Sequence, residues 1–404
     1  MSLCEWYADR AVLLTGVTSE LGRALLEKIL RHLPHVTVYV VLRSRNGLSK
    51  EDRLKKIFAS PGYERLRQEA PDAISRVKTF EGNLLCENLD LNAEDKASLK
   101  GISVAFHAGG PYDAVLEYCQ DLPGLRSVAV ASNIFKFRGK IAETTQNEKL
   151  PADLPIALVR FPLIGPAHKE PMPGFVEIFK GPTALMVGAG HAYGDSSLQA
   201  EVIPIDIAVN TMIAAAWEVG MSNAAKPVVY NAATLDCTWE ELIKKSRRAN
   251  WTFPYPSFGI RGMTSNALLC WILVLFFEWL PSVLSDIALA LCGRKQRFLA
   301  EYDKVRNALL SLKSISSRSW STERNRVYLL QKRLTAKEQD AFPVIVEMDI
   351  EAYVLCVAAA TQKHCVNEDI LTLTKTIRLF FLIAPAVLVF AYIAFFNSHT
   401  RKVR

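Results

Sequence analysis

Apolar positions in the first third of the chain fall into short, β-branched runs separated by amphipathic stretches. The runs are Ala11–Thr15, Val36–Leu42, Val77–Phe80, Val104–His107 and Val128–Ala131. The intervening segments Leu21–Leu33, Lys50–Ala59, Ala93–Leu99 and Tyr112–Asp121 repeat their apolar residues at helical spacing. Strands that read as continuously apolar, alternating with helices, predict an α/β fold with a doubly wound parallel sheet covered on both faces. A sixth strand is expected at Ile156–Val159, a helix at Asp206–Val219 and a short strand at Pro227–Asn231. The Pro- and Gly-rich stretch Pro162–Gly190 reads as loops over the carboxyl edge of the sheet. From about Trp251 the alternation stops and helical patterns dominate. The expected division is an α/β domain over 1–250, a mainly helical domain over 251–370 and a terminal apolar segment over 379–396.

That terminal segment, Leu379–Phe396, is an uncharged run of 18 residues between Lys375 and Arg378 on one side and Arg401, Lys402 and Arg404 on the other. Its length suits a transmembrane helix, and Pro385 is tolerable there. Both flanks are basic, so they do not fix its orientation. A second apolar run, Ala267–Phe277, is too short to span alone and is expected to end at Glu278 and Pro281. It reads either as a core helix or as the start of a shallow membrane-dipping hairpin with Val283–Leu291. The N-terminus carries Glu5, Asp9 and Arg10 and lacks an apolar core of signal-peptide length.

Composition narrows the partners. Half of the 404 residues are hydrophobic, and the formal net charge is +7. No dense basic stretch interleaves with aromatics, which argues against nucleic acid. Modest positive charge with high apolar content suits membrane lipid or a phosphate-bearing ligand. The eight cysteines are scattered with no C-x-x-C pair, so no metal site and no disulfide framework is expected.

The chemistry begins at "LLTGVTSELG". Gly16 and Gly22 stand where a strand turns into a helix whose N-terminus would face a pyrophosphate. The intermediate glycine of such a turn is replaced by Ser19, whose added bulk should push a phosphate outward, and Glu20 adds a negative charge beside it. Thr15, Gly16, Ser19, Leu21 and Gly22 are the candidate pyrophosphate residues. The second strand ends "VVLRSR", with Arg43 and Arg45 and no acid. Arginine there suits a 2′-phosphate, so NADPH is expected rather than NADH.

These residues resemble the fatty acyl-CoA reductases, alcohol-forming members of the extended short-chain dehydrogenase/reductase superfamily. The likeness is carried by "LLTGVTSELGRALLEKILRHLPHVTVYVVLR" and "YERLRQEAPDAISRVKTFEGNL" in the opening half. It continues in Lys169–Gly190, Val202–Gly220 and "RSWSTERNRVYLLQKRL" (Arg318–Leu334). It implies a Rossmann-like sheet, NADPH as cofactor and a long-chain acyl-CoA as substrate. The expected terminal anchor, with no signal peptide, separately suits the membrane of the endoplasmic reticulum or peroxisome, with the reductase domain facing the cytosol. The resemblance further implies an adenine-side Gly-Asp-Leu triplet, which here is Gly82–Asn83–Leu84, so Asn83 and Leu84 join the cofactor candidates. His107 is expected to be a structural strand-end histidine.

The family's proton donor is a Tyr four residues before a Lys on one helix, with a Ser at the end of the fifth strand. Ser132 matches that Ser, and Lys140, on an expected helix through Gly139–Glu143, matches the Lys. Four residues before Lys140 stands Lys136, and no tyrosine occurs between Tyr118 and Tyr193. The connections around 113 and 135 are short for parallel crossovers. The resemblance therefore implies NADPH-dependent reduction of a long-chain acyl-CoA to a fatty alcohol, with Ser132 and Lys140 as what remains of the catalytic set. The alternatives are an inactive relative serving as a membrane-bound lipid- or cofactor-binding scaffold, or an incomplete gene product.

Overall fold

A computed structural model describes residues 1–145, 148–222, 226–252, 261–345 and 347–365. By its internal contacts the chain divides into two compact units that interleave along the sequence. The first comprises Met1–Ile178, Gln199–Asp236 and Ser319–Asp349. The second comprises Phe179–Leu198, Cys237–Arg318 and the residues from Ile350 onward. The expected segment 379–396 lies outside the described residues.

The first unit is built on a seven-stranded sheet. Its strands are β1 (Ala11–Thr15), β2 (Thr37–Leu42), β3 (Val77–Glu81), β4 (Val104–His107), β5 (Ser127–Asn133), β6 (Ile156–Phe161) and β7 (Val228–Asn231). They run in the order β7-β6-β5-β4-β1-β2-β3, and every neighbouring pair is parallel. This is the doubly wound arrangement that the alternation of apolar runs implied, with its strand-order reversal between β1 and β4.

Helix α1 (Glu20–His32) follows β1 and buries Leu21, Leu25, Leu26, Ile29 and Leu30 in the core. Their i, i+4, i+5, i+8, i+9 spacing forms one apolar stripe, which explains why this segment is a helix packed on the sheet. Helix α2 (Lys50–Ala59) starts at Ser49, whose hydroxyl caps the Asp52 N–H, and α3 (Asp113–Gln120) carries the chain from β4 to β5. Helix α4 (Ile205–Ser222) is buried along most of its length, which is why its pattern is apolar all round.

Two readings of the sequence are corrected. Residues 137–145 form no helix. Instead Ile141 makes a parallel bridge to Thr322, with Ile141 N donating to Ser321 O (2.8 Å) and Glu323 N donating to Ile141 O (3.0 Å). Second, the apolar run at Ala267 does not stop at Glu278. In the second unit it continues as one 25-residue helix, α5 (Ala267–Leu291). A π-helical turn at Leu275–Trp279 absorbs Pro281, with Leu280 N–H reaching back to Leu275 O. Proline is then accommodated because the widened turn takes the local mismatch.

Candidate cofactor site

A cavity of about 230 Å³ opens at the carboxyl ends of β1 to β4, in the first unit. Four strand ends contribute: Gly16–Thr18, Val41–Arg43 with Arg45, Gly82–Leu85 and Gly109–Pro111, with Arg53 from α2. That is the switch-point crevice where doubly wound sheets bind dinucleotides.

Two glycines make the β1–α1 turn possible. Gly16 sits at φ +76°, and a Cβ there would meet the backbone of Gly109 at 3.1 Å. A Cβ on Gly22 would lie 2.3 Å from Gly16 O and 2.8 Å from Val17 Cα. Gly16 thus lets the β1 turn approach the β4 turn closely, and Gly22 lets α1 start against the backbone of Gly16 and Val17.

Ser19 is the N-cap of α1. Its Oγ accepts from Gly22 N (2.9 Å) and donates to Ala108 O (2.9 Å). The hydroxyl is thus committed within the protein, and it takes one of the helix N–H groups that an anion could otherwise use. Glu20 is less adverse than its charge implies: its Oε1 accepts from Ile178 N at 3.0 Å. Thr15 is fully buried, and its hydroxyl faces Phe106 O and His107 Nδ1 (2.9 Å). The Leu21 side chain is in the core. Both residues can serve the turn only through their backbone.

Arg43 and Arg45 are exposed at the end of β2 and line the cavity. Arg53, which the sequence reading did not single out, completes a group of three guanidiniums, and its Nη1 donates to Arg43 O. Its signal was its place ten residues after Arg43 on a well-capped helix. Glu81, the one acid at this edge of β3, accepts from Ser44 N and Ser44 Oγ. Asn83 Oδ1 accepts from Leu85 N (3.2 Å), and its Nδ2 points to Cys86 Sγ. Asn83 therefore organises its own turn, while Leu84 and the exposed Leu85 line the cavity wall.

His107 is fully buried between Thr15 and Gly110 O, and burial lowers its pKa, so the ring is held neutral as a structural group. At the end of β5, Ser132 Oγ is buried with no hydrogen-bond partner. Lys140 is exposed on a non-helical segment. The connection from β5 to β6 is lashed down by Arg160, an arginine buried within β6. Its guanidinium donates to Ala142 O (3.0 Å) and Thr144 O (2.9 Å), pairs with Glu148 and stacks on Phe137. Tyr112 does not replace the missing tyrosine: it donates to Glu148 Oε2 (2.7 Å), and burial together with Glu148 raises its pKa. A weaker acid is the opposite of what proton donation to a carbonyl requires.

On the far side of α1, an ionic cluster fixes the segment after β6. Lys28 and Arg31 pair with Glu170, and Asp206 of α4 accepts from the backbone N–H groups of His168, Lys169 and Glu170. The two sequence stretches around 169 and 206 are therefore one structural unit. Burial opposes ionisation of Glu170, but Lys28 and Arg31 outweigh it and hold its pKa at about 2. Burial, reinforced by Lys28 and Arg31, pushes His32 down to about 3.

Two family models described as "Male sterility protein" match the chain, an NAD-binding one over residues 14–134 and one named Sterile over 277–368. Fatty acyl-CoA reductase 1 of Mus musculus is 26% identical over 454 aligned positions, covering 91% of this chain and 87% of that protein. Fatty acyl-CoA reductase wat of Drosophila melanogaster is 20% identical, covering 83% and 80%. The mouse alignment is longer than the whole 404-residue chain, so the relative carries residues for which this chain has none. In fold, the chain is similar to the reductase (R) domain of a non-ribosomal peptide synthetase from Mycobacterium tuberculosis (TM-score 0.61, 17% identity, covering 89% of this chain and 95% of that one). A second structure of similar fold is the terminal R domain of the myxalamid PKS-NRPS pathway (TM-score 0.53, 13% identity, covering 88% and 91%). With the glycine turn, the switch-point crevice and these relatives in agreement, the chain belongs to the fatty acyl-CoA reductase family of oxidoreductases.

Proposed function

We propose that this protein reduces a long-chain fatty acyl-CoA to a fatty alcohol with NADPH. The observation that carries the cofactor choice is the group Arg43, Arg45 and Arg53 at the rim of the crevice, with Glu81 engaged by Ser44. Guanidiniums bind a phosphate with directed, charge-assisted hydrogen bonds, whereas an unphosphorylated ribose calls for an acid at this strand end. The Gly16 turn and the backbone of α1's first turn would hold the pyrophosphate, and Asn83 and Leu84 would shape the adenine side. A nicotinamide bound here supplies the hydride. Ser132, whose buried hydroxyl lacks a protein partner, orients the acyl carbonyl, and Lys140 supplies positive charge from the adjoining connection.

A membrane anchor at 379–396, expected from the sequence, would hold the enzyme at the endoplasmic reticulum or peroxisome with the reductase domain facing the cytosol, beside the lipid into which long acyl chains partition. The test is product analysis. Purified full-length protein, given palmitoyl-CoA and either NADPH or NADH, should form hexadecanol with NADPH and far less with NADH. Equal rates would overturn the cofactor assignment. Absence of alcohol from folded, NADPH-bound protein would overturn the activity and leave a binding scaffold.

A further inference from the structure

Helix α5 has its polarity inside out. Its buried stripe, at Cys270, Glu278, Pro281, Ser282, Ser285, Asp286 and Leu289, includes all of the helix's charged residues. Each polar group on it is satisfied within the second unit. Glu278 pairs with Arg306 (3.2 Å) and accepts from His191 N (2.6 Å). Asp286 accepts from the N–H groups of Arg297, Phe298 and Leu299, each at 2.9 Å. Ser282 and Ser285 donate to carbonyls one turn back.

The opposite face is apolar and, among the described residues, uncovered. Trp271 (61% exposed), Phe276 (54%), Leu284, Ile287 and Leu291 (84%) stand out from it. In water this reverses the rule that places apolar side chains inside and charges outside. The arrangement is stable where the outer medium is hydrocarbon. We propose that α5 lies flat in one leaflet of an anionic bilayer, as a lipid contact separate from the terminal segment.

Three observations select this occupant. The helix is about 37 Å long at 1.5 Å per residue, enough to span, yet its polar stripe is fixed to the same unit from Cys270 to Leu289. A helix bound to protein along one side lies against the bilayer rather than standing alone across it. Next, the exposed face offers no hydrogen-bonding side chain except the indole N–H groups of Trp271 and Trp279, while a specific protein interface carries about ten direct hydrogen bonds. Tryptophan is also the residue favoured at the membrane–water boundary. Finally, the chain leaves α5 through Gly293 at φ +67° into the exposed Arg294 and Lys295. The Asp286 bonds to 297–299 hold this basic stretch beside the end of the helix, where lipid phosphates would lie.

The test uses full-length protein carrying a nitroxide label at one site at a time, after Leu268→Cys, Phe276→Cys or Leu284→Cys in a background with the exposed Cys4, Cys292 and Cys356 changed to Ser. Phosphatidylcholine vesicles containing phosphatidylserine should lower collisions with a water-soluble nickel complex and raise those with oxygen at all three sites, to one common shallow depth. Omitting phosphatidylserine should reduce the shift. A depth gradient from Leu268 to Leu284 would replace the proposal with a span. Labels that stay accessible to nickel on vesicle-bound protein would overturn it. Dipolar broadening between copies without vesicles would assign the face to a second chain. Loss of circular-dichroism signal would identify an unfolded label site, and Leu291→Cys, at the most exposed large apolar side chain of the helix, then takes its place.

Discussion

Two parallel crossovers in the same sheet make an instructive contrast. Between β1 and β2 the chain uses a 13-residue helix, capped by Ser19 and striped with leucine and isoleucine. Between β5 and β6 the described residues hold one 3₁₀ turn, Ile134–Lys136, and an extended segment bridged to Thr322. The first crossover keeps the glycine geometry of a phosphate-binding turn. The second has lost the helix on which the family's Tyr and Lys would share a face, and buried Arg160 holds its backbone in place. On the function proposed above, the residues that would hold a dinucleotide and those that would serve the acyl carbonyl stand on different connections, so one set can change without the other.

The sharpest way to break the first crossover is Gly22→Val. A Cβ 2.3 Å from Gly16 O cannot be relieved by moving a side chain, so the turn must open. We expect a loss of about 3 kcal/mol or more in stability and no measurable NADPH binding, read by thermal melting and calorimetry. Retained binding at the parent melting temperature would show that helix–strand closeness is dispensable. For the second crossover, Ser132→Ala should lower kcat about 100-fold while leaving NADPH affinity unchanged. An unchanged kcat would move the carbonyl-orienting role elsewhere.

Arg43→Ala addresses specificity. It should weaken NADPH about 10- to 100-fold and leave NADH nearly unaffected, because only the charge-assisted bonds to the 2′-phosphate are lost. A parallel loss for both cofactors would mean that Arg43 acts on the turn rather than on the phosphate.

Acid should loosen the clamp behind α1. The Glu170 pKa of about 2 lies below its ordinary 4.5, so its contribution to stability is complete above pH 4.5 and is lost as pH falls toward 2. His32, depressed from 6.5 to about 3, is neutral in the fold, and protonation of the unfolded chain below pH 6.5 also favours unfolding. Denaturant midpoints should therefore fall steadily as pH drops below 6.5, and His32→Gln should flatten the upper part of that decline. The smallest expected effect is Ser19→Gly. It frees the Gly22 N–H and removes bulk, so NADPH should bind a few-fold tighter, at a cost of a few tenths of a kcal/mol for the weaker cap.

The sheet was legible because buried parallel strands announce themselves as apolar runs and their helices as stripes. Lys50–Ala59 was bounded correctly, and β1 coincided with its apolar run. The crevice was legible in outline: Gly16, Arg43, Asn83 and Leu84, each just beyond a strand end in the apolar pattern, line one cavity. The 137–145 segment was not legible. Its conformation is set by Arg160 and by residues near 322, far away in sequence, and no local pattern encodes such partners. Likewise Glu278 and Pro281 looked like a helix stop. Only the tertiary pair with Arg306 and the π-helical turn reveal that the helix continues. Ser19 read as a defect in a phosphate turn, and it is also the cap that starts α1.

The central claim is that the crevice holding NADPH still delivers its hydride to an acyl thioester. It is tested most directly by a single-turnover reaction of full-length protein with NADPH deuterated at the transferred position and palmitoyl-CoA, followed by mass analysis of the lipid. The account predicts hexadecanol carrying deuterium at the alcohol carbon. NADPH bound at the crevice with unlabelled, unreduced thioester as the sole lipid recovered would contradict it.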